Sequence, residues 1–148
     1  MSLTDKTTTA QTESILFEFD LKHSPKKVWR ALTEPALVAE WLLPAIELKL
    51  EPGASFIFRA PPQPGWDGTV NCQVLEIEPL TKLSWKWVVG DLNTVVTFTL
   101  TPTASGTRLV LVQSGFTPSQ KRNLAGARYG WKSMGGKLVE LLERTADE

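Results

Sequence analysis

The chemistry open to this chain is limited by its scarcest residues. There is one histidine, His23, and one cysteine, Cys72, in 148 residues. His23 stands just before the helix-starting pair Ser24-Pro25 and has no candidate nucleophile near it in sequence. It is expected as a solvent-facing turn residue rather than a catalytic base. Cys72 falls on the apolar face of a strand pattern, where packing is the expected role. With one residue of each kind, neither a zinc nor an iron site can be built on convincing ligands, and no intramolecular disulfide can form. Gly126 and Gly130 lie inside a helical pattern rather than after a strand, so they make no phosphate loop. No catalytic residue, metal or cofactor is assigned.

Two polar residues fall where pattern puts apolar ones. Gln113 shares parity with Leu109 and Leu111, so its amide is expected to point inward, where either a neighbouring side chain or a ligand must pair it. Glu76 shares parity with Val70, Cys72 and Val74, but Leu75 and Ile77 have the opposite parity. A β-bulge near Val74-Leu75 reconciles the two sets, and its position decides whether Glu76 faces inward, as a carboxylate with a raised pKa, or outward into solvent. Phe56, Phe58, Trp85, Trp87, Phe98, Trp131 and Met134 each suit a core; together with Gln113 they also suit the wall of a small-molecule site. Trp66, on the loop Pro61-Pro62-Gln63-Pro64-Gly65, is expected to be the most exposed of the six tryptophans. It could gate a cavity mouth or meet a partner.

The elements that position these residues follow from periodicity. Residues 1–13 are polar and threonine-rich and read as a flexible tail, leaving 14–148 as a single domain. Ile15, Phe17, Phe19 and Leu21 alternate with polar residues as a strand. Ser24-Pro25 opens a short helix carrying Val28, Trp29 and Leu32, and Ala36 to Trp41 makes a second. Strand patterns follow over Ile46–Leu50, Ser55–Arg59, Thr69–Glu78, the Leu83-Trp85-Trp87 set, Asn93–Thr101 and Thr107–Phe116. Thr117-Pro118-Ser119-Gln120 then opens a long helix. Its stripe is Leu124, Ala127, Trp131, Met134, Leu138, Leu141 and Leu142. Gly126, Gly130, Gly135 and Gly136 each cost about 1 kcal/mol against alanine in such a helix. Close backbone approach to a neighbour, or a break near Gly126, is expected in compensation.

Consecutive strands at hairpin spacing make an antiparallel meander, and the C-terminal helix is the only element long enough to cover one face of it. One helix cannot fill the wide end of a curved sheet, so an apolar cavity is expected between them. The bulk composition is in keeping: 42% hydrophobic residues and zero net charge, with no basic run to hold nucleic acid. No stretch approaches the roughly 20 apolar residues of a membrane span, and the N-terminus lacks a signal-peptide core. A single cysteine fits a reducing compartment, so a cytoplasmic location is expected.

Ser24-Pro25-Lys26-Lys27-Val28-Trp29-Arg30-Ala31-Leu32-Thr33 with Trp41, then Gly106-Thr107-Arg108-Leu109-Val110-Leu111, Ser114-Gly115-Phe116 and Gly130-Trp131, resembles the SRPBCC superfamily. Within it, the chain is most similar to the domains called activator of heat-shock-protein ATPase homologue-like. The resemblance covers roughly residues 14–145. It implies an α+β helix-grip fold, a curved antiparallel sheet around the C-terminal helix with two short helices after the first strand. It also implies a deep cavity for an apolar small molecule, and a family setting in stress response. Chaperone activators of that family carry a further N-terminal domain, which thirteen polar residues do not make, so a chaperone partner is not the first expectation.

The leading expectation is a module that binds an apolar or amphipathic small molecule through Phe56, Phe58, Trp85, Trp87, Phe98, Gln113, Trp131 and Met134. One alternative is a protein-interaction module, a chaperone or regulator cofactor engaging through the sheet edge or the Pro61–Trp66 loop. The other is a cyclase- or hydrolase-like enzyme using a cavity carboxylate such as Glu76. A homodimer through the outer sheet face, where Val110 and Val112 lie, is a further option.

Overall fold

In a computed structural model of the chain, which describes residues 2–6, 14–64 and 66–145, two proline-started helices follow the strand with the cleanest alternation. That strand, β2 (Ser14–Leu21), buries Ile15, Phe17, Phe19 and Leu21 completely. Helix α1 (Pro25–Thr33) starts where Ser24 Oγ accepts the Lys27 amide, with Pro25 in the first turn, where its missing N–H costs nothing. Helix α2 (Pro35–Trp41) follows after one residue. Trp41 Nε1 donates to the Ala31 carbonyl at 2.8 Å and so ties α2 back to α1.

The remaining strands are β3 (Ala45–Ile46), β4 (Ser55–Arg59), β5 (Thr69–Glu78), β6 (Lys82–Val89), β7 (Leu92–Pro102) and β8 (Thr107–Ser114). With β1 (Ser2–Asp5) they form one eight-stranded sheet in the order β1-β2-β8-β7-β6-β5-β4-β3, and every neighbouring pair is antiparallel. The bulge predicted from parity lies between Val74 and Glu76, where the β5–β6 register shifts. Leu75 is the extra residue, so Ile77 returns opposite Leu83 while Glu76 stands opposite Ser84. The curved sheet closes around α3 (Lys121–Arg144), which a 3₁₀ turn over Pro118–Gln120 introduces. The fold is α+β and of the helix-grip kind.

Three expectations change. Part of the expected tail is the edge strand β1, paired from Ser2↔Asp20 to Asp5↔Phe17; the rest of that tail, 7–13, lies outside the described residues. Four residues with one apolar side chain carry no periodicity, and what recruits them is the otherwise open edge of β2. Leu3 packs inward opposite Phe19, and Asp5 pairs with Arg128 of α3. The strand expected over Ile46–Leu50 stops at Ile46, because Glu47 takes a left-handed φ of 57°. Helix α3 runs unbroken through Gly126 for 24 residues, about 36 Å.

Lys27 of α1 is buried, and its ammonium donates to the carbonyls of Leu142 (2.7 Å) and Thr145 (2.9 Å) at the end of α3. A cation on these terminal carbonyls complements the negative end of the helix dipole. Of the four glycines in α3, Gly135 has a packing reason: a Cβ there would sit 3.0 Å from the Phe19 ring and 3.1 Å from Leu3 Cδ2. Gly126 and Gly136 are exposed and have open space where a Cβ would go. Gly126→Ala and Gly136→Ala should therefore each stabilise the fold by about 1 kcal/mol, raising Tm by about 2–4 °C in a thermal melt. Gly135→Ala should give no such gain.

Candidate functional site

The inner face of the sheet carries the residues that sequence parity assigned to it. Trp85 and Trp87 of β6 stand opposite Val96 and Thr94 of β7, and Phe56 and Phe58 of β4 stand opposite Cys72 and Val70 of β5. Phe98 faces Leu111. The rings form a continuous wall: Phe56–Phe58 centroids are 5.2 Å apart, Trp85–Phe98 5.4 Å, Phe58–Trp87 5.7 Å and Phe98–Trp131 6.2 Å. Most of these pairs are tilted or edge-on, the arrangement that aromatic quadrupoles favour.

Helix α3 is joined to this wall by a buried relay. Trp131 Nε1 donates to Gln113 Oε1 at 2.7 Å, Gln113 Nε2 donates to Thr94 Oγ1 at 2.9 Å, and the Thr94 hydroxyl donates to the Trp87 carbonyl at 2.8 Å. The inward placement expected for Gln113 holds, and side chains of the protein itself engage both of its amide atoms.

Burial along α3 is uneven. Its buried residues, Trp131, Gly135, Leu138, Leu141 and Leu142, all lie in the second part of the helix. Leu124 and Ala127, on the same stripe, are only half buried, as are Met134 and, on the sheet, Trp87 and Val89. The start of the helix is held near the β6–β7 turn, where Gln120 Nε2 donates to the Asp91 carbonyl at 3.2 Å. The eight residues expected to bind ligand therefore divide. Phe56, Phe58, Trp85, Phe98, Gln113 and Trp131 form a closed interior, whereas Trp87 and Met134 stand at its rim.

A separate open groove of about 390 Å³ lies at the β3–β4–β5 edge and is lined by Ile46, Glu47, Ser55, Phe56, Ile57, Asn71 and Cys72. Of the eight expected residues only Phe56 borders it. No sequence pattern pointed to it, since Glu47's left-handed backbone is what ends β3 there.

The polar candidates resolve differently. Glu76 lies on the outer face, exposed, with its carboxylate 3.1 Å from the Lys82 ammonium. The bulge placed one residue before it turns it outward, so it supplies no cavity carboxylate, and the enzyme alternative loses its named residue. His23 is not a free solvent-facing residue: it is half buried, its Nδ1 is 3.1 Å from Lys27 Nζ, and its carbonyl accepts from Thr107. Trp66 is half buried too, with Nε1 donating to the Thr69 carbonyl at 2.9 Å across the hairpin tip. It is anchored rather than free to gate. Cys72 is buried as expected, and that burial pushes its thiol pKa up to about 12. Among the described residues no three His, Cys, Asp or Glu side chains gather into a metal-sized cluster, and no helix is long and apolar enough to cross a membrane.

Sequence reasoning missed one polar atom of the wall. Among the described residues, Trp85 Nε1 is a buried side-chain nitrogen without a hydrogen-bond partner. Parity placed this ring correctly, but no sequence signal tells which indole finds an acceptor.

Residues 22–143 match the family described as Activator of Hsp90 ATPase homolog 1-like protein. No curated protein is similar enough to this chain to match it. Solved structures are similar over most of its length. Protein MLL2253 from Mesorhizobium loti is 42% identical with a TM-score of 0.83, covering 90% of this chain and 98% of its own. DynU16, described as a putative protein in the dynemicin biosynthetic locus, is 26% identical with a TM-score of 0.74, over 89% of this chain and 48% of its own. CalU16 from Micromonospora echinospora, 22% identical with a TM-score of 0.74 over 97% of this chain and 85% of its own, shares the fold.

Two outcomes follow from the site's geometry. Gln113→Leu keeps the volume but strands the Trp131 indole N–H and removes the donor to Thr94, which should cost about 2–4 kcal/mol, read as a lower midpoint in urea unfolding. Cys72 should resist a thiol reagent such as 5,5′-dithiobis(2-nitrobenzoate) at pH 8 in the native protein. The thiol stays protonated far above that pH, and the thiolate is the reactive form; unfolding in urea should release one full equivalent.

Proposed function

We propose that this chain, which belongs to the Activator of Hsp90 ATPase homolog 1-like family and carries its SRPBCC helix-grip fold, binds an apolar or amphipathic small molecule between the first half of α3 and the aromatic wall. The observation that carries this reading is the burial gradient along the helix. Every fully buried residue of α3 lies from Trp131 onward, yet the apolar stripe begins at Leu124. Leu124, Ala127 and Met134, with Trp87 and Val89 of the sheet, leave apolar surface only half covered. A ligand seated there would complete the burial, at about 25 cal/mol per Å² of apolar area removed from water. The anchored half of the helix keeps the wall in place while this happens.

Affinity in this reading comes from shape and apolar contact. Trp87 and Met134 are the contact residues at the rim, and Phe58, Phe98 and Trp131 stand behind them. Gln113 serves by fixing Trp131 rather than by touching the ligand, since both ends of its amide are engaged. DynU16 comes from a biosynthetic locus, which is in keeping with a small-molecule ligand. Of the two surfaces expected to carry the chaperone-cofactor reading, the sheet edge and the Pro61–Trp66 loop, the loop has less support, because Trp66 is tied down at the hairpin tip.

Native mass spectrometry of the purified protein, followed by denaturing extraction, tests the proposal directly. A co-purifying apolar molecule is the expected result. In a thermal-shift screen of fatty acids and of two- and three-ring aromatics, a ligand at 100 times its Kd should add about 2.7 kcal/mol of stability, or about 5–10 °C in Tm. Ala127→Trp, which fills the half-covered space, should abolish that shift while the protein stays folded. An empty protein that no compound stabilises would remove the proposal.

A further inference from the structure

Trp85 sits one position inward of the rim on the same strand and the same face as Trp87, roughly 7 Å further along β6. Its ring is 3% exposed. Its ring neighbours are Phe56 and Phe58, each 5.9 Å away, and Phe98 at 5.4 Å, and its cross-strand neighbours are Val74 and Val96. None of these side chains has an oxygen or nitrogen that could accept a hydrogen bond. The indole N–H accordingly has no partner, whereas the other buried tryptophans of the core are paired: Trp41 to the Ala31 carbonyl and Trp131 to Gln113. A buried donor left unpaired is unfavourable, by an amount comparable to a hydrogen bond. Phenylalanine or leucine would fill an apolar wall without it.

Resting on the binding site proposed above, we infer that the ligand is a neutral molecule carrying a hydrogen-bond acceptor, a carbonyl or ether oxygen or a ring nitrogen, which takes the Trp85 N–H once the ligand parts the Phe58 and Trp87 rings that close the interior over it. The donor has one proton and no acceptor capacity, so a ligand hydroxyl would serve only through its oxygen. A carboxylate is disfavoured, because the residues packed around Trp85 include no cation to balance it. The two sides of the site thus divide the recognition. The rim at α3 reads apolar shape, and Trp85 reads one oxygen or nitrogen at the inner end.

The test uses ring-matched pairs that differ in one carbonyl: 9-fluorenone with fluorene, and benzophenone with diphenylmethane. Each is titrated into protein labelled with ¹⁵N at tryptophan, and the six indole N–H signals are followed. Trp85→Phe identifies the Trp85 signal, and the five remaining signals show whether that variant is folded. Each ketone should bind wild type about five- to tenfold more tightly than its hydrocarbon, with a downfield shift of the Trp85 signal that the hydrocarbon does not cause. In Trp85→Phe the ketone preference should disappear, each ketone and its hydrocarbon binding equally whatever their absolute affinity. Equal binding of ketone and hydrocarbon, a preference that survives in Trp85→Phe, or a Trp85 signal that ketones leave unmoved would each overturn the inference while leaving the binding site standing. If no member of either pair moves any indole signal, the inference falls, and the mass-spectrometric and thermal-shift tests above decide separately whether the site stands.

Discussion

The relay from Trp131 through Gln113 and Thr94 to the Trp87 carbonyl sets the position of the long helix over the sheet. Apolar packing alone is tolerant of sliding and rotation, since one leucine on a sheet surface resembles another. A buried amide is not tolerant: each of its atoms must meet a complementary one, and a shift of one residue would leave several donors and acceptors unpaired in a low-dielectric interior. Gln113 occupies a position that pattern gives to a hydrophobic residue, and the effect of that exception is specificity of register. Once Trp131 is fixed, Gly135 comes against the Phe19 ring and Leu138, Leu141 and Leu142 close the narrow end.

Lys27 fixes the other end of the same helix. Its ammonium bonds the last carbonyls of α3 from α1, so the two short helices do more than close the arc of the sheet. They hold the end of α3 that the relay does not reach. The second half of the helix is held at two places; its first half has the exposed Gln120–Asp91 hydrogen bond, the half-buried Asp5–Arg128 pair and the half-covered Leu124 and Ala127. One continuous helix thus has a half fixed by buried hydrogen bonds and a half whose apolar stripe is only partly covered.

Much of this was legible in the sequence because it rests on periodicity. The alternation in Ile15–Leu21, the Ser24-Pro25 and Thr117-Pro118 helix starts, the stripe from Leu124 to Leu142 and the parity conflict at Val74-Leu75 each have a local cause, and each appears where pattern puts it. What stayed hidden depends on partners distant in sequence. Ser2–Asp5 is a strand only because β2 offers it an edge. Glu76 faces outward because of the residue at which the bulge falls, which parity cannot choose within a pair. Trp66 and Trp85 are both tryptophans near prolines or strands, yet one indole reaches a carbonyl three residues away and the other meets only hydrocarbon. The aromatic wall was readable as a set, but which of its members stand at the rim depends on the unequal burial of α3, which no residue spacing reports.

The sheet begins and ends with its two shortest strands, four residues in β1 and two in β3. A long, flat outer strand would present a row of free backbone donors and acceptors on which another chain could extend the sheet. Here one margin is narrow and tied back to α3 through Asp5, and the other is cut off by the left-handed backbone at Glu47. The geometry that ends the sheet thus also limits the length of free backbone on which another molecule could extend it.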